Sequence, residues 1–399
     1  MNKKIVLAYS GGLDTSVMLH WLKNKYKSEI IACIVDVGQD ENFGLLKKRA
    51  LKTGAKRAYV IDAKEEFVKE YIFKAIKANA VYENGYLLGT SLARPLIAKK
   101  VIETAKKEKA FAVSHGATGK GNDQVRFEVS FKTLMPGIKI IAPWREWELK
   151  SRKDEINYAR QHNIPITVTR EKPYSSDANL WHISYEGGVL ENPDNPYQEN
   201  MFQLTVSPEN APGRPTYLDL YFEKGVPKKI NNLKYEPVKL IKKLNEIAGR
   251  NAIGRIDIIE NRLVGMKSRG VYESPAATVL YFAHHQLESL TLNREVLHYK
   301  QQMEQEYGKL VYYGLWFGPQ REALDKFIDE TQKYVTGNIK MKLYKGNIIV
   351  AGRSSKHSLY WEKLATFEEE NLYNQKDAEG FINLFGLSLK VEALLRKKL

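Results

Sequence analysis

The sequence predicts an α/β protein: a parallel sheet covered by helices over residues 1–165, an α+β region over 166–362 and a helical arm over 363–399. Three observations predict it. In the first part, short β-branched runs alternate with amphipathic helical stretches, the pattern of a sheet buried on both faces. A glycine pair, Gly11-Gly12, stands where the first strand turns into the first helix. After Ile164-Pro165 the alternation stops, and residues 170–215 become rich in Pro, Asn, Ser and Tyr.

The elements follow in order. Lys4 to Ala8 reads as a buried strand and Leu13 to Tyr26 as a helix. Ile30–Val37, Ala58–Ile61, Ala110–Ser114 and Ile138–Ala142 supply four further strands. Pro95 is expected to open a helix at the first position, where proline is favoured, with Ile97, Ala98, Val101, Ile102 and Ala105 as its apolar stripe. Residues 170–215 read as a long irregular connection. Beyond it, Phe202–Val206, Tyr217–Phe222 and Arg255–Ile259 read as strands and Pro319–Tyr334 as a helix. Ile339–Tyr344 and Ile348–Ala351 flank Lys345-Gly346-Asn347, a hairpin turn. Leu387 to Lys398 closes the chain as a helix with an apolar edge, read as an arm that docks on another subunit.

Composition narrows the class. Hydrophobic residues are 43% and charged residues 27%, the balance of a folded soluble chain. Cys33 is the only cysteine, which excludes an internal disulfide and a cysteine-based zinc site. No apolar run approaches the roughly 18 residues of a membrane span, and the apolar run after Lys3-Lys4 is too short for a secretory signal, so the cytoplasm is the expected location and no membrane partner is expected. The net charge of +15 is spread along the chain, mostly beside acids, and reads as solvated helix faces that attract anionic substrates rather than as a nucleic-acid stripe.

Chemistry concentrates in two glycine-containing blocks. In Ala8-Tyr9-Ser10-Gly11-Gly12-Leu13-Asp14-Thr15-Ser16 the glycines allow backbone amides to face an anion at a helix N-terminus. Ser10, Thr15 and Ser16 add hydroxyl donors. The lysine of a Walker loop and the third glycine of a dinucleotide fingerprint are both missing. The second block, Ser114-His115-Gly116-Ala117-Thr118-Gly119-Lys120-Gly121-Asn122-Asp123-Gln124-Val125-Arg126, gathers hydroxyl, amide, carboxylate and guanidinium. That mixture suits a zwitterionic amino acid. His115 reads as a hydrogen-bonded structural residue. His284-His285 reads as lacking companion acids at ligand spacing, so no metal site is assigned there.

The first block resembles the pyrophosphate loop of the N-type ATP pyrophosphatases. That resemblance implies a hydroxy-nucleotide (HUP, Rossmann-like) sheet, ATP with Mg²⁺ on its phosphates, and cleavage between the α- and β-phosphates. Over nearly its whole length the chain resembles the argininosuccinate synthase family. The resemblance rests on the two blocks together with Tyr86–Pro95, Ala142–Arg145, His182–Glu186, Gly254–Arg262 and Gly265–Glu273.

It implies ligation of L-citrulline and L-aspartate through citrullyl-AMP, with release of AMP and pyrophosphate, by a homotetramer. It further implies that ATP contacts Ala8, Tyr9, Ser10, Gly11, Gly12, Leu13, Asp14, Thr15, Ser16, Val35 and Gly116. Citrulline falls to Tyr86, Ser91, Asn122, Arg126, Ser175, Ser184, Glu260 and Tyr272, and aspartate to Thr118, Asn122 and Asp123. A smaller alanine is familiar in the family where Val35 stands, and a backbone contact survives that change. No residue is assigned to covalent or acid–base work; Asp14, Asn122 and Asp123 position the reactants. The alternative reading is a tRNA-binding modification enzyme using the same loop. Enzymes of that kind usually need reactive cysteines and an added RNA-binding module, and neither is found.

Overall fold

The computed structural model describes residues 3–165, 174–366, 372 and 374–397. These form two compact units, one ending at His357 and one beginning at Ser358. The expected boundary at 165/166 runs into residues outside the described ones.

The first unit opens with β1 (Lys4–Ala8), α1 (Leu13–Tyr26), β2 (Glu29–Asp36), α2 (Phe43–Thr53) and β3 (Arg57–Asp62). A continuous helical stretch follows, made of α3 (Lys64–Glu66), a π-helical turn (Phe67–Ile72) and α4 (Phe73–Ala78). Then come α5 (Gly89–Glu108), β4 (Ala112–Ser114), α6 (Asn122–Leu134), β5 (Lys139–Ile141) and α7 (Arg152–Gln161). The five strands form one parallel sheet of order β3-β2-β1-β4-β5. β1 and β2 are buried along almost their whole length, as strands covered on both faces must be. Each fully buried Val, Leu or Ile contributes roughly 1.5–3 kcal/mol by leaving water.

The sheet order reverses direction between β1 and β4. Loops leaving the carboxyl ends of those two strands flank a crevice, the usual ligand position in an open α/β sheet. Both glycine blocks are those loops.

α5 departs from expectation: Pro95 lies inside the helix, not at its start. The helix begins earlier because the Tyr86 hydroxyl accepts from the Thr90 and Ser91 amides at 3.0 and 3.4 Å. That contact satisfies two of the amides that a helix start leaves open. Pro95, which has no amide hydrogen, leaves the Ser91 carbonyl without its usual helical donor.

The rest of the unit is antiparallel sheet and helix. β6 (Ser175–Ala178) and β7 (Ile183–Glu186) join β11 (Arg255–Asn261) and β12 (Lys267–Glu273) in a sheet of order β11-β12-β7-β6. The segment read as irregular therefore holds two strands, each four residues long, which pair with each other and, through β7, with β12 far along the chain. Phe202–Val206 is not a strand. The amides of Gln203, Leu204 and Thr205 donate to the buried Glu273 carboxylate at 2.7–2.8 Å instead of to a ladder. β8 (Thr216–Glu223), β9 (Val226–Ile230), β10 (Leu233–Lys234), β13 (Gly337–Tyr344) and β14 (Asn347–Ser354) form the third sheet, including the expected hairpin. Among the described residues, four α-helices pack with these sheets: α8 (Pro237–Arg250), α9 (Pro275–Thr291), α10 (Arg294–Tyr312) and α11 (Pro319–Thr331).

The second unit carries α12 (Glu362–Ala365), α13 (Asp377–Phe385) and α14 (Leu387–Arg396). α13 was not expected, and Lys398, the expected end of the last helix, is outside the described residues. Phe381, Leu384, Phe385, Leu389, Leu394 and Leu395 are all exposed, Leu384 to 77%. Among the described residues no helix is long and apolar enough to cross a membrane.

Candidate functional site

The first glycine block forms a tight loop between β1 and α1. Gly11 adopts φ +78°, and a Cβ there would stand 2.3 Å from Leu46 Cδ2 of α2. Only glycine fits this position. Gly12 caps α1 in an extended conformation. The Ser10 and Thr15 hydroxyls lie 3.1 Å apart, and Ser16 pairs with the Tyr9 hydroxyl at 3.0 Å. Arg49 donates to the Gly11 carbonyl at 2.6 Å, which brings a guanidinium to the loop. Asp14 sits in the first helical turn and meets Glu155 of α7, a buried carboxyl that no motif marked. Burial raises both groups, and Glu155 is pushed up to about 9 by burial and by Asp14. The pair therefore holds a proton at neutral pH. Val35 is buried at the end of β2, and its carbonyl accepts from Gln39 Nε2 at 2.9 Å.

Gly116 joins this loop to a neighbouring cavity. A Cβ on Gly116 would lie 2.8 Å from Thr15 Cγ2, so the two glycine blocks touch there. The cavity has a volume of about 240 Å³ and is lined by both halves of the first unit. From the α/β half come Tyr86, Thr90, Arg94, Gly116, Ala117, Thr118, Gly121, Asn122, Asp123 and Arg126; from the antiparallel sheet come Asp177, Ser184, Tyr185, Glu186, Glu260 and Tyr272, with Arg262 from the turn after β11.

Carboxylates and guanidiniums alternate around it. Arg94 Nε donates to Asp123 Oδ2 at 2.7 Å and Arg94 Nη2 to Asp177 at 2.6 Å. Arg126 Nη1 donates to Asp123 Oδ1 at 2.9 Å and Arg126 Nε to the Tyr312 carbonyl at 2.9 Å. Burial works to raise the Asp123 carboxyl, but the two arginines overcome it and hold it below the usual range. Glu260 takes the Tyr272 hydroxyl at 2.9 Å, and its pKa is raised, chiefly by burial. Two groups here are buried with no hydrogen-bond partner: Arg126 Nη2, a donor, and Glu260 Oε2, an acceptor. A buried charged group left open this way is expensive unless something completes it.

Of the residues expected to hold the amino acids, Tyr86, Thr118, Asn122, Asp123, Arg126, Ser184, Glu260 and Tyr272 line this one cavity. Ser91 and Ser175 do not. Ser91 is fully buried in α5 with an unpartnered hydroxyl, and Ser175 is exposed at the start of β6, opposite Glu186. The Asn122 amide is already engaged: it donates to the Tyr312 hydroxyl at 2.8 Å and accepts from the Leu263 amide at 2.9 Å. Arg94, Asp177 and Arg262 were not singled out as site residues. Arg94 stands within Tyr86–Pro95, but only the fold brings its acidic partners to it.

Three further expectations concern reactive side chains. His115 is buried, accepts from the Ala117 amide at 3.2 Å through Nδ1, and lies 3.2 Å from Glu128 through Nε2. Those contacts fix one tautomer and suit a structural residue. His285 does have companion acids, contrary to expectation: its ring and the carboxylates of Glu288 and Glu304 bring ligand atoms within 4.8 Å. Glu304 comes from α10, a neighbour that sequence spacing does not reveal. The Lys300 ammonium already bridges both acids, at 3.0 and 3.1 Å. Cys33 is buried in β2, and burial pushes its thiol up to about 12.

A parallel sheet with a tight glycine loop at its switch point, continued by a charged cavity built against an antiparallel sheet, defines a nucleotide-binding α/β protein of the HUP class with a second, antiparallel-sheet domain. Residues 4–165 match the model of the arginosuccinate synthase N-terminal HUP domain, and residues 174–392 that of the arginosuccinate synthase C-terminal domain. The chain belongs to the argininosuccinate synthase family. It is 65% identical over 395 residues to the argininosuccinate synthase of Endomicrobium trichonymphae, covering 99% of this chain and 96% of that one. It is 60% identical over 397 residues to that of Acetivibrio thermocellus (99% and 98% covered), and 57% over 398 residues to that of Clostridium novyi (100% and 99%).

Proposed function

We propose that the chain ligates L-citrulline to L-aspartate at the expense of ATP, forming argininosuccinate, AMP and pyrophosphate. The observation that carries this reading is the pair of unpartnered buried groups in one cavity beside the phosphate loop. Glu260 Oε2 suits an α-amine and Arg126 Nη2 an α-carboxylate, the two charged groups on the α-carbon of citrulline. Thr118, Asn122 and Asp123, with Arg94 behind them, face the aspartate. The loop Ala8–Ser16 turns the α-phosphorus toward the citrulline ureido oxygen. Attack gives citrullyl-AMP and pyrophosphate. The aspartate amine then attacks the activated ureido carbon, and AMP leaves.

The side chains contribute position and charge, which are large terms in such chemistry. Magnesium would be held chiefly by the phosphate oxygens and water beside the loop that carries Asp14, and would neutralise phosphate charge. We read 1–165 as the nucleotide domain, 166–362 as the synthetase and multimerisation domain, and 363–399 as an arm whose exposed apolar side chains pack in a cytoplasmic homotetramer. The test is product analysis with ATP, citrulline and aspartate, each omitted in turn. Stoichiometric ADP, or turnover without citrulline, overturns the reading.

A further inference from the structure

His182, at the entry of β7, has no part in the chemistry above, yet it begins a chain of contacts that ends in the cavity. Its Nε2 lies 2.9 Å from Thr90 Oγ1. Thr90 Oγ1 donates to Asp177 Oδ2 at 3.2 Å, and the same oxygen accepts from Arg94 Nη2 at 2.6 Å. Arg94 Nε then reaches Asp123, which also receives Arg126.

Asp177 is an acceptor, so the single Thr90 proton goes to it. The Thr90 oxygen must then accept from His182, which places the ring proton on Nε2 and leaves Nδ1 bare. Nδ1 is buried and has no partner. The ring is 1% exposed and stacks on Tyr272 at 5.8 Å with 12° between planes. Burial lowers its pKa to about 3, with the Arg94 charge adding to the effect, so the neutral donor persists across the working range.

We propose that His182 is a positioning residue for the aspartate-dependent step: its Nε2–H directs the Thr90 hydroxyl onto Asp177, which fixes Arg94 and so the orientation of Asp123. The inference rests on the reading that the Asp123 side of the cavity receives aspartate. The ring also packs against Tyr272 and Tyr86 of the citrulline side, but that ring contact does not depend on the Nε2 proton.

The test uses the full-length chain and two assays: citrulline-dependent exchange of labelled pyrophosphate into ATP, and aspartate-dependent product formation. His182→Phe keeps a ring against Tyr272 but has no donor. It is expected to raise the aspartate KM by at least about tenfold, since small misplacements of a reacting group are costly, and to preserve exchange. His182→Gln, whose amide can donate to Thr90, is expected to recover most of that loss. Thr90→Val cuts the chain at its next link with little change of volume and is expected to reproduce the His182→Phe split; it decides the matter alone if the Phe variant does not fold. An unchanged aspartate KM in Thr90→Val, equal losses in both assays, or a Gln variant no better than Phe overturns the proposal. Asp123→Ala is run beside them. If it too abolishes exchange, the assignment of that side to aspartate fails and the proposal with it; if it splits the assays and the other variants do not, only the role of His182 falls.

Discussion

Arg94 Nε donates to Asp123 Oδ2 at 2.7 Å, and the second oxygen of Asp123 receives Arg126 at 2.9 Å. The carboxylate is thereby held ionised and aimed. Each carboxylate oxygen has two lone pairs, so a substrate ammonium can be added to this arrangement without displacing either arginine. Asp123 is accordingly a fixed anionic contact and a poor proton acceptor.

Asp123→Ala is expected to lower the aspartate-dependent rate by about tenfold to a hundredfold, because a hydrogen bond to a charged group contributes roughly 1.5–3 kcal/mol. Citrulline-dependent pyrophosphate exchange should survive. Asn122→Ala should weaken both reactions, because its amide ties α6 to Leu263 and to Tyr312. Both rates, measured for each variant, check the division; loss of exchange in Asp123→Ala would place that residue with citrulline or ATP.

Gly11 tests the phosphate loop. A Cβ there meets Leu46 at 2.3 Å, and φ +78° disfavours any other residue. The left-handed backbone alone costs about 1–2 kcal/mol, and the clash must move either the loop or α2. Gly11→Ala should therefore weaken ATP binding by more than tenfold while the far-ultraviolet spectrum is unchanged. Trimming the obstacle with Leu46→Ala should restore only part of the affinity, since the dihedral cost remains. Calorimetric titration of ATP into the single and double variants measures this.

The parts legible in the sequence were those encoded locally. The loop at Gly11-Gly12, the block ending at Arg126 and the hairpin at Gly346 each carry their signal within a few residues. The citrulline-facing residues Tyr86, Ser184, Glu260 and Tyr272 are unremarkable singly and were named only through family resemblance. What stayed hidden depends on distant partners. Glu273 captures the amides of 203–205 and cancels a strand that β-propensity favoured. Tyr86 caps α5 and moves its start ahead of Pro95. Glu155 gains its significance only because α7 packs on α1 beside Asp14.

Lys300 separates stability from catalysis. It is fully buried and pairs with Glu288, also buried, and with Glu304. Removing one partner of a buried pair strands the other charge, at a cost of roughly 3–5 kcal/mol. Lys300→Met should lower unfolding stability by that order and leave the steady-state constants of the folded protein unchanged. Adding Glu288→Gln removes the more deeply buried of the two stranded charges and should return part of the loss. Urea unfolding of the three proteins gives the ranking; a double variant less stable than Lys300→Met would refute the ion-pair account.

Glu155 supplies a pH signature. Its carboxyl is shifted from an ordinary value of 4.5 up to about 9, so between those pH values the folded chain holds a proton that the unfolded chain releases. Stability falls with rising pH wherever the native state binds more protons. The contribution of Glu155 is thus fully present below about pH 4.5 and is lost as pH rises toward 9. Glu155→Gln cannot ionise, and its amide can still donate to Asp14. The melting temperature of this variant, relative to the unsubstituted protein, should therefore rise steadily from pH 4.5 to about pH 9, the window set by those two values. ATP affinity at neutral pH should be retained in Glu155→Gln, where Asp14 keeps its partner, and reduced in Glu155→Ala, where the loop carboxylate is left without one. Melting curves that stay parallel across the window would show that Glu155 ionises as an ordinary carboxylate and that Asp14 is held by something else.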